Sequence, residues 1–96
     1  MKFHIEPAAD GVHKWIGVFT DPGERERRIP FGAKGYSDFT QNRDPLRRER
    51  YIARHKTRED WNNPMTAGAL SRYILWGESS DIRKNVRQFK HRFSLD

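Results

Sequence analysis

The sequence contains no cysteine, which excludes a disulfide framework, a zinc finger, an iron–sulfur site and a thiol nucleophile. Disulfide-stabilised secretion goes with them, and an intracellular or virion setting is expected. Long apolar runs are equally absent. The longest uncharged apolar stretch, Tyr73-Ile74-Leu75-Trp76-Gly77, is far short of the roughly 20 residues that span a bilayer. The opening MKFHIEPAAD has no apolar core of the secretory type, so no signal peptide is expected. GxxxxGK(S/T), GxGxxG and GxSxG do not occur, which removes the common nucleotide-binding and hydrolase signatures. Core-forming residues are scarce: Leu, Ile, Val and Phe together number 19 of 96, near the level at which charged chains stay unfolded. Three Trp and three Tyr add apolar area, enough for one small domain with a thin core.

Positive charge is abundant and unevenly placed. Residues 1–42 carry six Lys/Arg and six Asp/Glu, whereas residues 43–96 carry 13 Lys/Arg and seven Asp/Glu. The whole excess of +6 therefore lies in the C-terminal half. A basic face of this kind suits nucleic acid, an acidic protein surface or an anionic membrane surface.

Local patterning predicts an α+β fold: an N-terminal three-stranded antiparallel β-meander followed by three short helices. Lys2–Glu6 alternates apolar and polar residues, Val12–Thr20 is β-branched and aromatic, and Arg25–Phe31 alternates again. Asp10-Gly11 and Asp21-Pro22-Gly23 supply the turns. Pro30 confines the third strand to an edge or ends it. Residues 1–31 thus form the meander, 32–43 a loop and 44–96 a basic helical part of one domain. Asp44-Pro45 opens a helix near 45–58. Thr66 caps another near 67–76, which Gly77 ends as a left-handed C-cap. Asp81 caps a third near 81–93, where Ile82, Val86, Phe89 and Phe93 mark an apolar stripe. The expected core is Phe3, Ile5, Trp15, Ile52, Leu70, Tyr73, Ile74, Ile82, Val86, Phe89 and Phe93. Helices layered on one sheet face, or a hairpin unit hinged to a helical unit at residues 32–42, both fit this pattern.

Few residues suggest catalysis. His4 and His13 lie on neighbouring predicted strands with no obligatory carboxylate beside them, so a surface role outweighs a metal site. His55 faces the side of Tyr51 and Ile52, as a core-edge imidazole bonded to backbone. Glu59 and Asp60 lie among basic residues expected to pair with them. No cofactor, metal or small-molecule substrate is expected, and the protein reads as non-enzymatic. The candidate contacts to an anion, nucleic acid or acidic partner are Arg43, Arg47, Arg48, Arg50, Arg54, Lys56 and Arg58 around the first helix. Arg83, Lys84, Arg87, Lys90 and Arg92 on the last helix join them. Arg47, Arg50 and Arg54 share one helix face by their spacing. Tyr36, Phe39 and Trp61 are candidate partner contacts, and Trp76 reads as a core plug.

From Gly32 onward runs an unusual string: Gly35-Tyr36-Ser37-Asp38-Phe39-Thr40, then Arg50-Tyr51-Ile52-x-Arg54-His55 and Glu59-Asp60-Trp61. Thr66-Ala67-Gly68-Ala69-Leu70-Ser71-Arg72-Tyr73-Ile74-Leu75-Trp76 and Phe89-Lys90-x-Arg92-Phe93 complete it. Over roughly residues 31–93 this resembles a family of small, basic, uncharacterised proteins of large nucleocytoplasmic DNA viruses that infect algae and protists. Gly77 departs from the pattern, in which a polar residue precedes a Pro. The resemblance implies a virion or infected-cell setting and partners among viral structural proteins, or DNA or RNA. The expected function is that of a minor capsid protein that cements larger subunits and contacts the underlying acidic surface or DNA; the alternative is a sequence-nonspecific nucleic-acid-binding protein acting through basic helices.

Overall fold

Three strands form an antiparallel sheet of order β1-β2-β3, with β1 at Lys2–Pro7, β2 at His13–Thr20 and β3 at Glu26–Ala33. The structure is a computed structural model describing residues 1–96. Gly11, at φ +75°, supplies the left-handed residue between β1 and β2. The Asp10 carboxylate accepts the Val12 and His13 amides there. The second turn closes through Glu24 N to Asp21 O. Pro30 sits within β3, tolerated because β3 is an edge strand and continues to Ala33.

Register places Phe3 opposite Phe19, Ile5 opposite Gly17 and Trp15 opposite Phe31. This face carries the core. A Cβ on Gly17 would meet Leu70 Cδ1 at 3.0 Å, so the missing side chain is what lets the helical layer seat on the sheet. Phe3, Phe19, Phe31, Leu70, Ile74, Leu75 and Phe89 form one buried cluster with Tyr51 and Trp76. Sheet and helices therefore share a core, and no separate hairpin unit exists. On the opposite sheet face, Val18 lies between His4 and Arg28 in register and is fully buried. The Arg28–Glu6 ion pair spans β2 above it.

The helices are α1 (Phe39–Asn42), α2 (Pro45–His55), α3 (Ala67–Leu70) and α4 (Ile82–Arg92). α1 is an addition to the expected loop, held by Asp38 accepting from the Thr40 amide and by Arg43 as a left-handed C-cap. α2 ends at His55, short of the expected 58, and α4 matches its expected range closely. The middle helix changes form: α3 runs directly into a π-helical turn, Ser71–Leu75, closed by Trp76 N to Ser71 O. Gly77 is not left-handed, since only Gly11, Gly32 and Gly35 among the glycines have positive φ. Its role is close approach instead: a Cβ there would meet the Tyr73 carbonyl and Asn85 Oδ1, the latter at 2.8 Å. Asn85, fully buried on the inner face of α4, donates to Ile74 O and Ser79 O and accepts from Ser79 N.

Of the expected core, Phe3, Leu70, Ile74 and Phe89 are fully buried, whereas Ile5, Trp15, Ile52, Tyr73, Ile82, Val86 and Phe93 pack half-buried around them. Val18, Phe19, Phe31, Tyr51, Ala69, Leu75, Asp38 and Asn85 are buried with them. Trp76 is buried, as expected of a core plug.

Candidate anion-binding clefts

Asp44 accepts the Leu46 and Arg47 amides, and Pro45 at the first helical position costs α2 no hydrogen bond. The helix is thereby fixed with Tyr51 inward. Tyr51 stacks on Trp76 at 4.5 Å and on His55 at 4.2 Å. Its phenol is pushed up to about 12, first by burial and then by the nearby Glu59 carboxylate. His55 Nδ1 lies 2.9 Å from Glu59 Oε1, and Glu59 Oε2 accepts from Trp61 Nε1. The imidazole is thus tied to a carboxylate rather than to backbone.

This packing leaves a cleft of about 470 Å³ between the end of β2–β3, the 33–38 loop, α2 and the π turn. Arg47, Arg50 and Arg54 line its helical wall, Tyr36 stands at its opposite wall, and Trp76 and Leu75 contribute apolar surface. Lys14 also lines it but is committed, with Nζ 2.7 Å from both the buried Asp38 and Gln41. None of the three arginines lies within 4.0 Å of a carboxylate, because the ion pairs of Lys and Arg side chains are confined to Lys14, Arg28 and Arg83. Glu59 and Asp60 do not neutralise this half: Asp60 accepts the Asn62 amide, and Glu59 is held by His55 and Trp61. Short-range hydrogen bonds to neighbouring groups in the chain outcompete the expected pairing with Arg or Lys.

A second groove, of about 600 Å³, lies between the π turn and α4. Arg72, Lys84, Arg87, His91 and Arg92 line it, with Glu78 and Tyr73. The π turn separates the two hollows: Ser71, Leu75 and Trp76 face the first, and Arg72 and Tyr73 the second.

The remaining candidates divide by role. Arg48 is structural: its Nε donates to Trp76 O and Gly77 O, and its guanidinium lies over Phe39. Arg43 is the exposed C-cap of α1. Lys56 and Arg58 are exposed just beyond α2, and Arg83 is exposed 3.8 Å from Asp81. Lys90 is half-buried on α4 and lines neither hollow. Of the aromatic partner candidates only Tyr36, 75% exposed, is free; Phe39 packs against the core and Trp61 lies under Arg72. Arg72, His55 and Lys14 belong to these hollows although spacing did not single them out. His4 and His13 sit opposite Val18 and Ala33 respectively, far apart along the sheet. No group of three or more His, Asp or Glu side chains is placed to hold a metal ion, and no helix is long and apolar enough to cross a membrane.

Compared with known proteins, residues 3–55 match a family described only as a family of unknown function, DUF5754. The match takes in the sheet, α1 and α2 with its arginine row. No curated protein and no solved structure matches the chain.

Proposed function

The chain belongs to this family of unknown function (DUF5754), and for it we propose sequence-nonspecific binding of nucleic acid, with the α2 cleft as the principal contact. One observation carries the reading: Arg47, Arg50 and Arg54 converge on a single cleft with no carboxylate partner. Like charges held together without neutralisation favour a polyanion, and guanidinium forks suit phosphate oxygens. Tyr36, exposed on the far wall, offers a ring for an unpaired base. No base-reading element accompanies them, so phosphate contacts set affinity without specifying sequence. His55 is stacked on Tyr51 and held by Glu59, a packing role consistent with binding rather than catalysis.

Oligonucleotide binding, followed by fluorescence anisotropy across a salt series, tests this. Three phosphate contacts give duplex DNA a slope near −3 in log affinity against log salt, or about 40-fold weaker binding between 50 and 200 mM. Reversal of all three arginines to Glu is expected to remove most of that slope, at about one unit per residue. Binding that ignores salt, or a slope the triple variant keeps, would overturn the proposal. The cementing role implied by the viral resemblance now rests on Tyr36, since Phe39 and Trp61 are engaged within the molecule. Loss of particle incorporation on Tyr36→Ala, with no salt-steep nucleic-acid binding by the parent protein, would favour it.

A further inference from the structure

The second groove contains a cation that the fold leaves unsatisfied. Arg72 is half-buried, yet no carboxylate lies within 4.0 Å of it. One of its terminal nitrogens donates to Trp76 O, but its Nε is buried without any partner. The guanidinium carbon lies over two aromatic rings, 5.3 Å from the centre of Trp61 and 5.1 Å from that of Tyr73. Arg92 approaches the Tyr73 ring at 4.4 Å. Lys84, Arg87 and His91 line the same groove, and none of them has an acidic partner. Glu78 is the sole carboxylate in the lining, and it forms no ion pair.

A partly desolvated cation normally obtains a counter-charge or gives up its position. Burial, and then the neighbouring Arg48, pull the Arg72 guanidinium below its ordinary value. Cation–π contact with two rings helps hold it in place without neutralising it. We propose that this groove is a seat for a phosphate group, bound by Arg72 at its base and by Arg87, Lys84 and Arg92 around its mouth. Phosphate fits better than carboxylate because it presents three or more oxygens and up to two charges to several donors at once. Chloride makes no bidentate contact. The groove is distinct from the α2 cleft, and the inference stands whether or not that cleft binds nucleic acid.

The phosphate can come from a free phosphoryl compound or from the backbone of a strand, and one experiment on the full chain separates them. Pyrophosphate is titrated into the protein and the Arg Nε–H resonances are followed by NMR, with chloride at matched ionic strength as control. A saturable shift of the Arg72 resonance is expected, with affinity at least tenfold weaker in Lys84→Ala/Arg87→Ala. Both substituted side chains are exposed, so that variant is expected to keep its fold. The Arg47, Arg50 and Arg54 reversal is expected to leave the titration unchanged. A single-stranded oligonucleotide that displaces pyrophosphate identifies a strand as the source, and one that does not identifies a free compound. A linear shift shared with chloride, or undiminished affinity in the double variant, would refute the seat.

Discussion

In residues 1–42 four of the six carboxylates meet a side-chain cation or imidazole, whereas in residues 43–96 three of the seven, Asp44, Asp60 and Asp81, accept backbone amides. Glu6 meets His4 and Arg28, Asp10 meets His13, and Asp38 meets Lys14. Asp44 and Asp81 instead cap α2 and α4, and Asp60 closes a turn. The same residue type thus neutralises one half and starts the helices of the other. The net +6 remains exposed around the helices because few acids there pair with Lys or Arg: three accept amides, and Glu59 is held by His55 and Trp61. Charge in the sheet half is largely paired within the fold, and on the proposed reading the unpaired charge of the helical half is what a polyanion would meet.

The largest expected effect tests whether the halves share one core. Phe89 on α4 contacts Phe3 at 4.8 Å and Phe93 at 4.9 Å and is 1% exposed. Phe89→Ala is expected to cost about 3–5 kcal/mol, a large part of what so small a domain possesses. Chemical denaturation checks it, and strand amides whose hydrogen exchange stays as slow as in the parent would show the sheet to be independent of α4. Next comes the buried pair. Lys14→Met leaves Asp38 without its cation at a site 2% exposed and is expected to cost about 3 kcal/mol, much of it recovered by adding Asp38→Asn. A double variant no more stable than the single one would show that Asp38 needs no counter-charge.

Much of the frame was legible because its signals are local. The turns at Asp10-Gly11 and Asp21-Pro22-Gly23, the Asp44-Pro45 start and the stripe Ile82, Val86, Phe89, Phe93 each depend on residues within one or two turns of chain. The Arg47, Arg50, Arg54 row was readable from spacing for the same reason. Other features depend on distant contacts. Lys14 finds Asp38 across 24 positions, and Gly77 is needed because α4 brings Asn85 against it. Arg72 sits in an otherwise apolar run, and its exposure to the second groove follows from the π turn. Phe39 and Trp61 looked like free loop aromatics because the arginines that cover them come from other elements. Asn85 did carry a signal: at i+3 from Ile82 and i−4 from Phe89, it is a polar residue on an apolar stripe.

If the helical charges serve a partner, single reversals there are expected to spare the fold. Arg50 is exposed and unpaired, so Arg50→Glu is expected to change stability by less than about 0.5 kcal/mol. Its effect on oligonucleotide binding is expected to be about tenfold or more. Thermal unfolding and anisotropy on one preparation check both, and a destabilised protein with unchanged binding would reverse the assignment of roles.

The smallest expected effect lies on the outer face of the sheet. The Glu6 carboxyl is held below the usual carboxylate range, first by the hydrogen bond from His4 and then by the one from Arg28. The Asp10 carboxyl is also held well below that range, chiefly by the His13 amide, then by the His13 ring and the Val12 amide. Lowered folded values mean that these groups stabilise the fold above their unfolded value, near pH 4. That contribution is lost as pH falls through the folded values, where the unfolded chain takes up the proton first. Both sites are exposed, so the loss is expected to be modest and confined to acid. Carboxyl carbon NMR checks the causes separately. Arg28→Ala is expected to return Glu6 part of the way to its ordinary value and leave Asp10 in place, because Asp10 is held by its own turn. Equal movement of both carboxyls would mean that the whole sheet field sets them, and the pairwise account of charge in this half would fail.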